Sequence, residues 1–158
     1  MSIRVRVCTT IEASPAETWS SIEQVQSHVD WMADAESIRF TTKTQKGVGT
    51  RFECVTAVGP IRLIDLMAVT AWEPGAVMGV THSGIVTGTG RFTLREVAGD
   101  RTHFCWDEQL TLPWALGGPV GERFAQPILS RLWRGNLARL KQIIERERRD
   151  SHSLARPR

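Results

Sequence analysis

GGPVGERFAQPILSRLWRGNLARLKQII, residues 117–144, is the stretch that decides the fold. Val120, Phe124, Ile128, Leu132, Trp133, Leu137, Leu140, Ile143 and Ile144 recur at spacings of three and four, which predicts one long amphipathic helix. Pro127 lies in its first turns and is expected to kink it, because proline lacks a backbone donor and clashes with the preceding turn. Everything before residue 117 reads differently. Residues 3–11 alternate, with Ile3, Val5, Val7, Thr9 and Ile11 on one face, the pattern of a half-buried strand. Ser14-Pro15-Ala16-Glu17 then offers a helix cap, a proline at the first helical position and a capping-box glutamate. A second short helix or turn is expected over 28–33. Strand-like segments follow at 36–42, 50–58, 61–72, 76–83, 88–97 and 102–112, separated by turn residues such as Gly59-Pro60 and Glu73-Pro74-Gly75. Connectors this short suit antiparallel neighbours. One helix cannot cover seven strands unless the sheet curls around it, and a curled sheet gripping a helix leaves a natural internal cavity.

The bulk numbers set limits on this reading. A chain of 158 residues with 41% hydrophobic content has the size and the apolar content of one domain, taken as residues 1–149 with a disordered basic tail at 150–158. No apolar run reaches the ~20 residues of a membrane span. The N-terminus alternates charged and apolar residues and lacks a secretion signal, so a cytoplasmic protein is expected. The net charge of +3 is modest, and its basic residues crowd the C-terminal segment, from Arg131 to Arg158. Interrupted by Glu145, Glu147 and Asp150, that run reads as a solvated helix face, and no nucleic-acid partner is expected. Cys8, Cys54 and Cys105 are odd in number and scattered, so free thiols are expected in place of a disulfide framework or a zinc site.

Several phrases resemble the START/Bet v 1-like (SRPBCC) superfamily, in particular its bacterial polyketide cyclase/dehydrase-type branch. They are IEASPAETWSSI at 11–22, HVDWM at 28–32, GVGTRFE at 47–53, AVTAWEPG at 68–75 and GRFTLREVAGDRTHFCWDEQL at 90–110, together with the closing helix. The resemblance covers nearly the whole chain. It implies an α+β helix-grip fold: a seven-stranded curved antiparallel sheet around a long C-terminal helix, with two short helices after the first strand. It also implies a cavity for a hydrophobic ligand. Its members include aromatase/cyclases, lipid and quinone carriers, co-chaperones and ligand sensors, so it brings no single catalytic constellation.

The chemistry must therefore be read from inward-facing polar residues. In CWDEQLTLPW, residues 105–114, Glu108 shares a face with Phe104, Trp106, Leu110 and Leu112. On the strand at 76–83, His82 shares a face with Met78 and Val80. Such a pair suits either ligand orientation or general acid and base work on a carbonyl substrate. Asp65 lies on a strand with grease on both faces, where a bulge would fit. It is expected to be exposed or paired with Arg62 or Arg91. Trp31, Met32, Phe52, Met67, Met78, Phe92, Trp106, Trp114, Phe124 and Ile128 complete the expected cavity lining, with His82 and Glu108 as its polar members. Large flat side chains around a pocket suit a planar, polycyclic ligand.

Two look-alike motifs carry no site. GIVTGTG at 84–90 joins two strands and opens no helix, so it lacks the N-terminus of a phosphate cradle. His28-Val29-Asp30 has no third ligand at metal-binding spacing. No cofactor and no metal are expected. Three functions remain: binding of a hydrophobic, polycyclic or lipid-like molecule, an aromatase/cyclase-type enzyme using Glu108 and His82, and a protein-interaction module. A homodimer stays open.

Overall fold

Alternation over residues 3–11 becomes the first strand, β1 (Ile3–Ile11), with Ile3, Val5, Val7 and Ile11 buried. The computed structural model describes residues 2–155. The capping box forms as the sequence reads. Glu17 N–H donates to Ser14 Oγ at 3.2 Å, Ser14 N–H donates to Glu17 Oε2 at 2.8 Å, and α1 runs Pro15–Ile22. A 3-10 turn at Val25–Asp30 stands where the second short helix is expected, three residues early. Six strands follow: β2 (Ala35–Phe40), β3 (Arg51–Val58), β4 (Ile61–Glu73), β5 (Val77–Ser83), β6 (Thr87–Val97) and β7 (Arg101–Thr111). A 3-10 turn at Trp114–Leu116 leads into the long helix α2 (Gly118–Leu154), which runs unbroken through Pro127.

The seven strands form one antiparallel sheet in the order β1-β7-β6-β5-β4-β3-β2, so chain order is kept except that β1 closes against β7. Register shifts at Ala35/Ser37 and at Val69/Ala71 mark bulges, which bend a strand and tighten its twist. Burial separates the two greasy faces of β4 ahead of its bulge. Val69 is buried, while Ile64 and Leu66 point outward.

Helix α2 fills the curl unequally. Its second half supplies Trp133, Leu137, Leu140 and Ile144 to a core shared with Ile11, Ile22, Val25 and Phe104. Its first half leaves Val120, Phe124 and Ile128 at 67%, 69% and 56% exposure. Polar ties fix the packed half. Buried Asn136 accepts from Ala33 N–H at 3.0 Å and donates to Asp34 Oδ1 at 2.7 Å, while Arg139 donates to the Trp31 carbonyl at 3.0 Å. Arg148 donates to the Glu12 carbonyl at 2.7 Å and pairs with Asp100, so part of the basic run ties the helix to loops.

Two expectations need correction. Helix α2 passes residue 149 and continues to Leu154, closed by Ala155 N–H to the Ser151 carbonyl. No glycine or proline interrupts residues 145–154, so nothing local ends the helix there. Residues 156–158 of the expected tail lie outside the described residues. Cys8 and Cys105 are not free thiols but a disulfide, while Cys54 is free and buried. The pair is 97 residues apart in sequence, yet directly opposed in the β1–β7 register with Cα atoms 4.1 Å apart. Only the pairing of first and last strands creates that contact.

Leu137→Ala should lower the free energy of unfolding by about 2–5 kcal/mol, since the buried site cannot fully collapse. Urea denaturation of the variant against the native chain measures it.

Candidate functional site: an apolar cavity with a buried ionic cluster

Between the curled sheet and the first half of α2 lies a cavity of about 560 Å³. Met32, Phe52, Met67, Met78, Phe92, Trp106, Phe124 and Ile128 stand in its wall, with His82 and Glu108. Phe124 and Ile128, half in solvent, place the mouth beside the first turns of α2, and the β3–β4 hairpin at Val58-Gly59-Pro60 lines it too. Two expected residues do not line the cavity. Trp31 is buried behind the wall, edge-on to Trp106 with ring centroids 5.9 Å apart, because the 3-10 turn tucks beneath the sheet's aromatic layer. Trp114 is 83% exposed, since its turn projects from the end of β7 before α2 begins. Trp133, on the apolar face of α2, is in the wall and stacks on Trp106 at 5.1 Å. Its spacing of four residues from Leu129 and eight from Ala125 is the helical signal that could have placed it there.

The polar side of the wall is a cluster drawn from three strands. His82 Nδ1 lies 2.7 Å from Asp65 Oδ2, and His82 Nε2 lies 3.3 Å from Glu108 Oε2. Trp106 Nε1–H donates to Glu108 Oε1 at 2.7 Å. The Nε2 contact is close enough for an ion pair but too bent for a hydrogen bond, so among the described residues His82 Nε2 and Glu108 Oε2 have no hydrogen-bond partner. Asp65 Oδ1 has none either. Asp65 is thus neither free nor paired with arginine as expected; Arg62 turns to Glu36 at 2.6 Å. The two-sided grease of β4 hid this inward direction.

Glycine on β6 makes the cluster sterically feasible. His82 on β5 and Glu108 on β7 are separated by β6, where Gly88 sits opposite His82 and Gly90 opposite Glu108. A Cβ at Gly90 would stand 2.4 Å from Glu108 Oε1. The glycine-rich run that resembles a phosphate cradle is instead a notch through which side chains from the two flanking strands meet.

Electrostatics follow from this enclosure. Burial disfavours the imidazolium, but hydrogen bonding to Asp65 and the charge of Glu108 outweigh it and push His82 up to about 10. His82 is therefore a cation at neutral pH, flanked by two carboxylates. His28 behaves oppositely. Burial pushes it down to about 4, against the bond from its ring to the Ile22 carbonyl at 2.7 Å. It is a neutral structural histidine packed on Trp31 and Phe92.

A curled seven-stranded sheet gripping a helix around an apolar cavity defines a START-like helix-grip protein. Residues 2–145 match the family model described as polyketide cyclase / dehydrase and lipid transport, and the chain belongs to that family. Among solved structures, it is similar to the ZhuI aromatase/cyclase from Streptomyces sp. R1128, with 14% identity, a TM-score of 0.76 and coverage of 92% of this chain and 95% of that one. It is also similar to a protein from Thermus thermophilus, at 16% identity and a TM-score of 0.74, covering 89% and 96% of the two chains. A START superfamily protein from Mycobacterium smegmatis matches at 13% identity and a TM-score of 0.71, covering 89% and 98%. At such identities these likenesses establish the fold alone. No curated protein matches the chain. Among the described residues no helix is long and apolar enough to cross a membrane.

Because the folded His82 value lies above its ordinary 6.5, its stabilisation is complete below 6.5 and is lost as pH rises through about 10. His82→Gln should therefore flatten the fall of thermal stability across that window, which melting curves at stepped pH would record.

Proposed function

We propose that the protein binds a hydrophobic small molecule, polycyclic or lipid-like, in this cavity, with its polar end directed at Asp65, His82 and Glu108. The observation that carries this reading is an apolar enclosure of about 560 Å³ with one buried ionic cluster in its wall. Enclosures of this size and lining suit drug-sized ligands, whose orientation a few polar groups fix. The aromatic surfaces of Phe92, Trp106 and Trp133 would meet a flat ring system.

A second reading, an aromatase/cyclase-type enzyme, draws support from the same cluster. Held as a cation, His82 would act as donor to a carbonyl oxygen, not as a base. Glu108 or Asp65 would then accept a proton from the adjacent carbon, and closure of a flexible chain would gain mainly from confinement away from water. The likeness to an aromatase/cyclase structure is consistent with this chemistry without assigning it.

Fluorescence titration with N-phenylnaphthylamine, a neutral apolar probe, tests the binding reading. Native protein should enhance the probe's emission saturably. Ala125→Trp, which adds an indole at the cavity wall, should abolish that signal while the fold persists. No saturable binding to the native chain would overturn the reading. Glu108→Gln distinguishes the two functions on a poly-carbonyl substrate. For an enzyme it should cut turnover about a hundredfold or more, whereas for a carrier it should change affinity by about tenfold with no turnover to lose.

A further inference from the structure

We propose that Cys8 and Cys105, on the outer face of the sheet away from the cavity, form a thiol–disulfide exchange site. In this site small-molecule thiols attack Cys8, and Cys105 departs with support from His103. Two features of the site place the roles. The two sulfurs differ in access: Cys8 is exposed on the edge strand β1, whereas Cys105 is 3% exposed on β7. An incoming thiolate therefore reaches the sulfur of Cys8. His103, two residues along the same face of β7, places Nε2 3.3 Å from Cys105 Sγ. As an N–H donor at that position it stabilises the thiolate that must leave.

The surroundings favour that anion further. Arg95 on β6 stands opposite His103 in the register, and Arg91 opposite Asp107. Asp107, the nearby acid, is paired with Arg6 at 3.3 Å. Thr10 and Thr93, opposite His103 and Cys105, add no charge.

The step balances with a thiol as co-reactant. A thiolate attacks Cys8 Sγ, a mixed disulfide forms there, the Cys8–Cys105 bond breaks, and its electron pair remains on Cys105. A second thiol releases Cys8, so that two thiols are oxidised to their disulfide and the protein's disulfide is reduced to two thiols. The structural consequence is local. Among the described residues β1 has β7 as its only sheet neighbour, so exchange removes the covalent staple of that edge from the strand carrying Trp106 and Glu108.

The test uses oxidised full-length protein in a Cys54→Ser background, mixed with glutathione, quenched with acid and mapped by peptide mass spectrometry. Glutathione should appear on Cys8. His103→Gln should slow cleavage about tenfold at fixed thiolate concentration, through loss of a charge-assisted hydrogen bond to the leaving sulfur. His103→Lys, which keeps a donor, should recover most of the rate. The cleavage rate of the native chain, corrected for thiolate, should also carry a pH dependence that His103→Gln lacks. Glutathione on Cys105, an unchanged rate in His103→Gln, or free Cys8 and Cys105 after incubation with oxidised glutathione would each overturn the proposal.

Discussion

One helix has to cover seven strands, and the rest of the structure depends on how that mismatch is met. The sheet curls, helped by bulges in the β2–β3 and β4–β5 pairings, and β1 returns to pair with β7. The second half of α2 then satisfies the core through Trp133, Leu137, Leu140 and Ile144. The first half packs less completely, through Ala125 and Leu129. Phe124 and Ile128 stay half in water over a cavity, an arrangement that a helix packed for stability alone would avoid. Space inside the fold is thus a consequence of its architecture.

Within that space the placement of charge is specific. An imidazolium between two carboxylates is costly to bury unless its partners are close, and here Asp65 comes from the adjacent β4 and Glu108 from β7 across a notch of glycines on β6. An imidazolium and two acidic side chains hold one another in a mostly apolar wall. The group can orient a polar end of a ligand, and it has the donor and acceptors that proton transfer needs. Both proposed functions use this one feature and differ only in whether bonds change.

The order of elements, the capping box at Ser14-Pro15-Ala16-Glu17 and the inward direction of Glu108 and His82 were legible because each follows from local period or local chemistry. Asp65 was not. It sits on a strand whose two faces both carry apolar residues, and only the pairing and curl of the assembled sheet settle which face is inside. Trp31 and Trp114 differ from expectation for another reason: Trp114 lies in a 3-10 turn and Trp31 just past the end of one, where no short period encodes side-chain direction. The Cys8–Cys105 bond joins the first and last strands, so no spacing along the chain reveals it. The helix ran past residue 149 because highly charged sequence, without a breaker, is still good helix sequence.

Native mass spectrometry of freshly purified protein, followed by exposure to a lipid and aromatic extract, tests the central claim most directly. A one-to-one complex with a small hydrophobic molecule, released on unfolding, is the predicted result. A chain that stays at its bare mass under both conditions would contradict a binding role for the cavity.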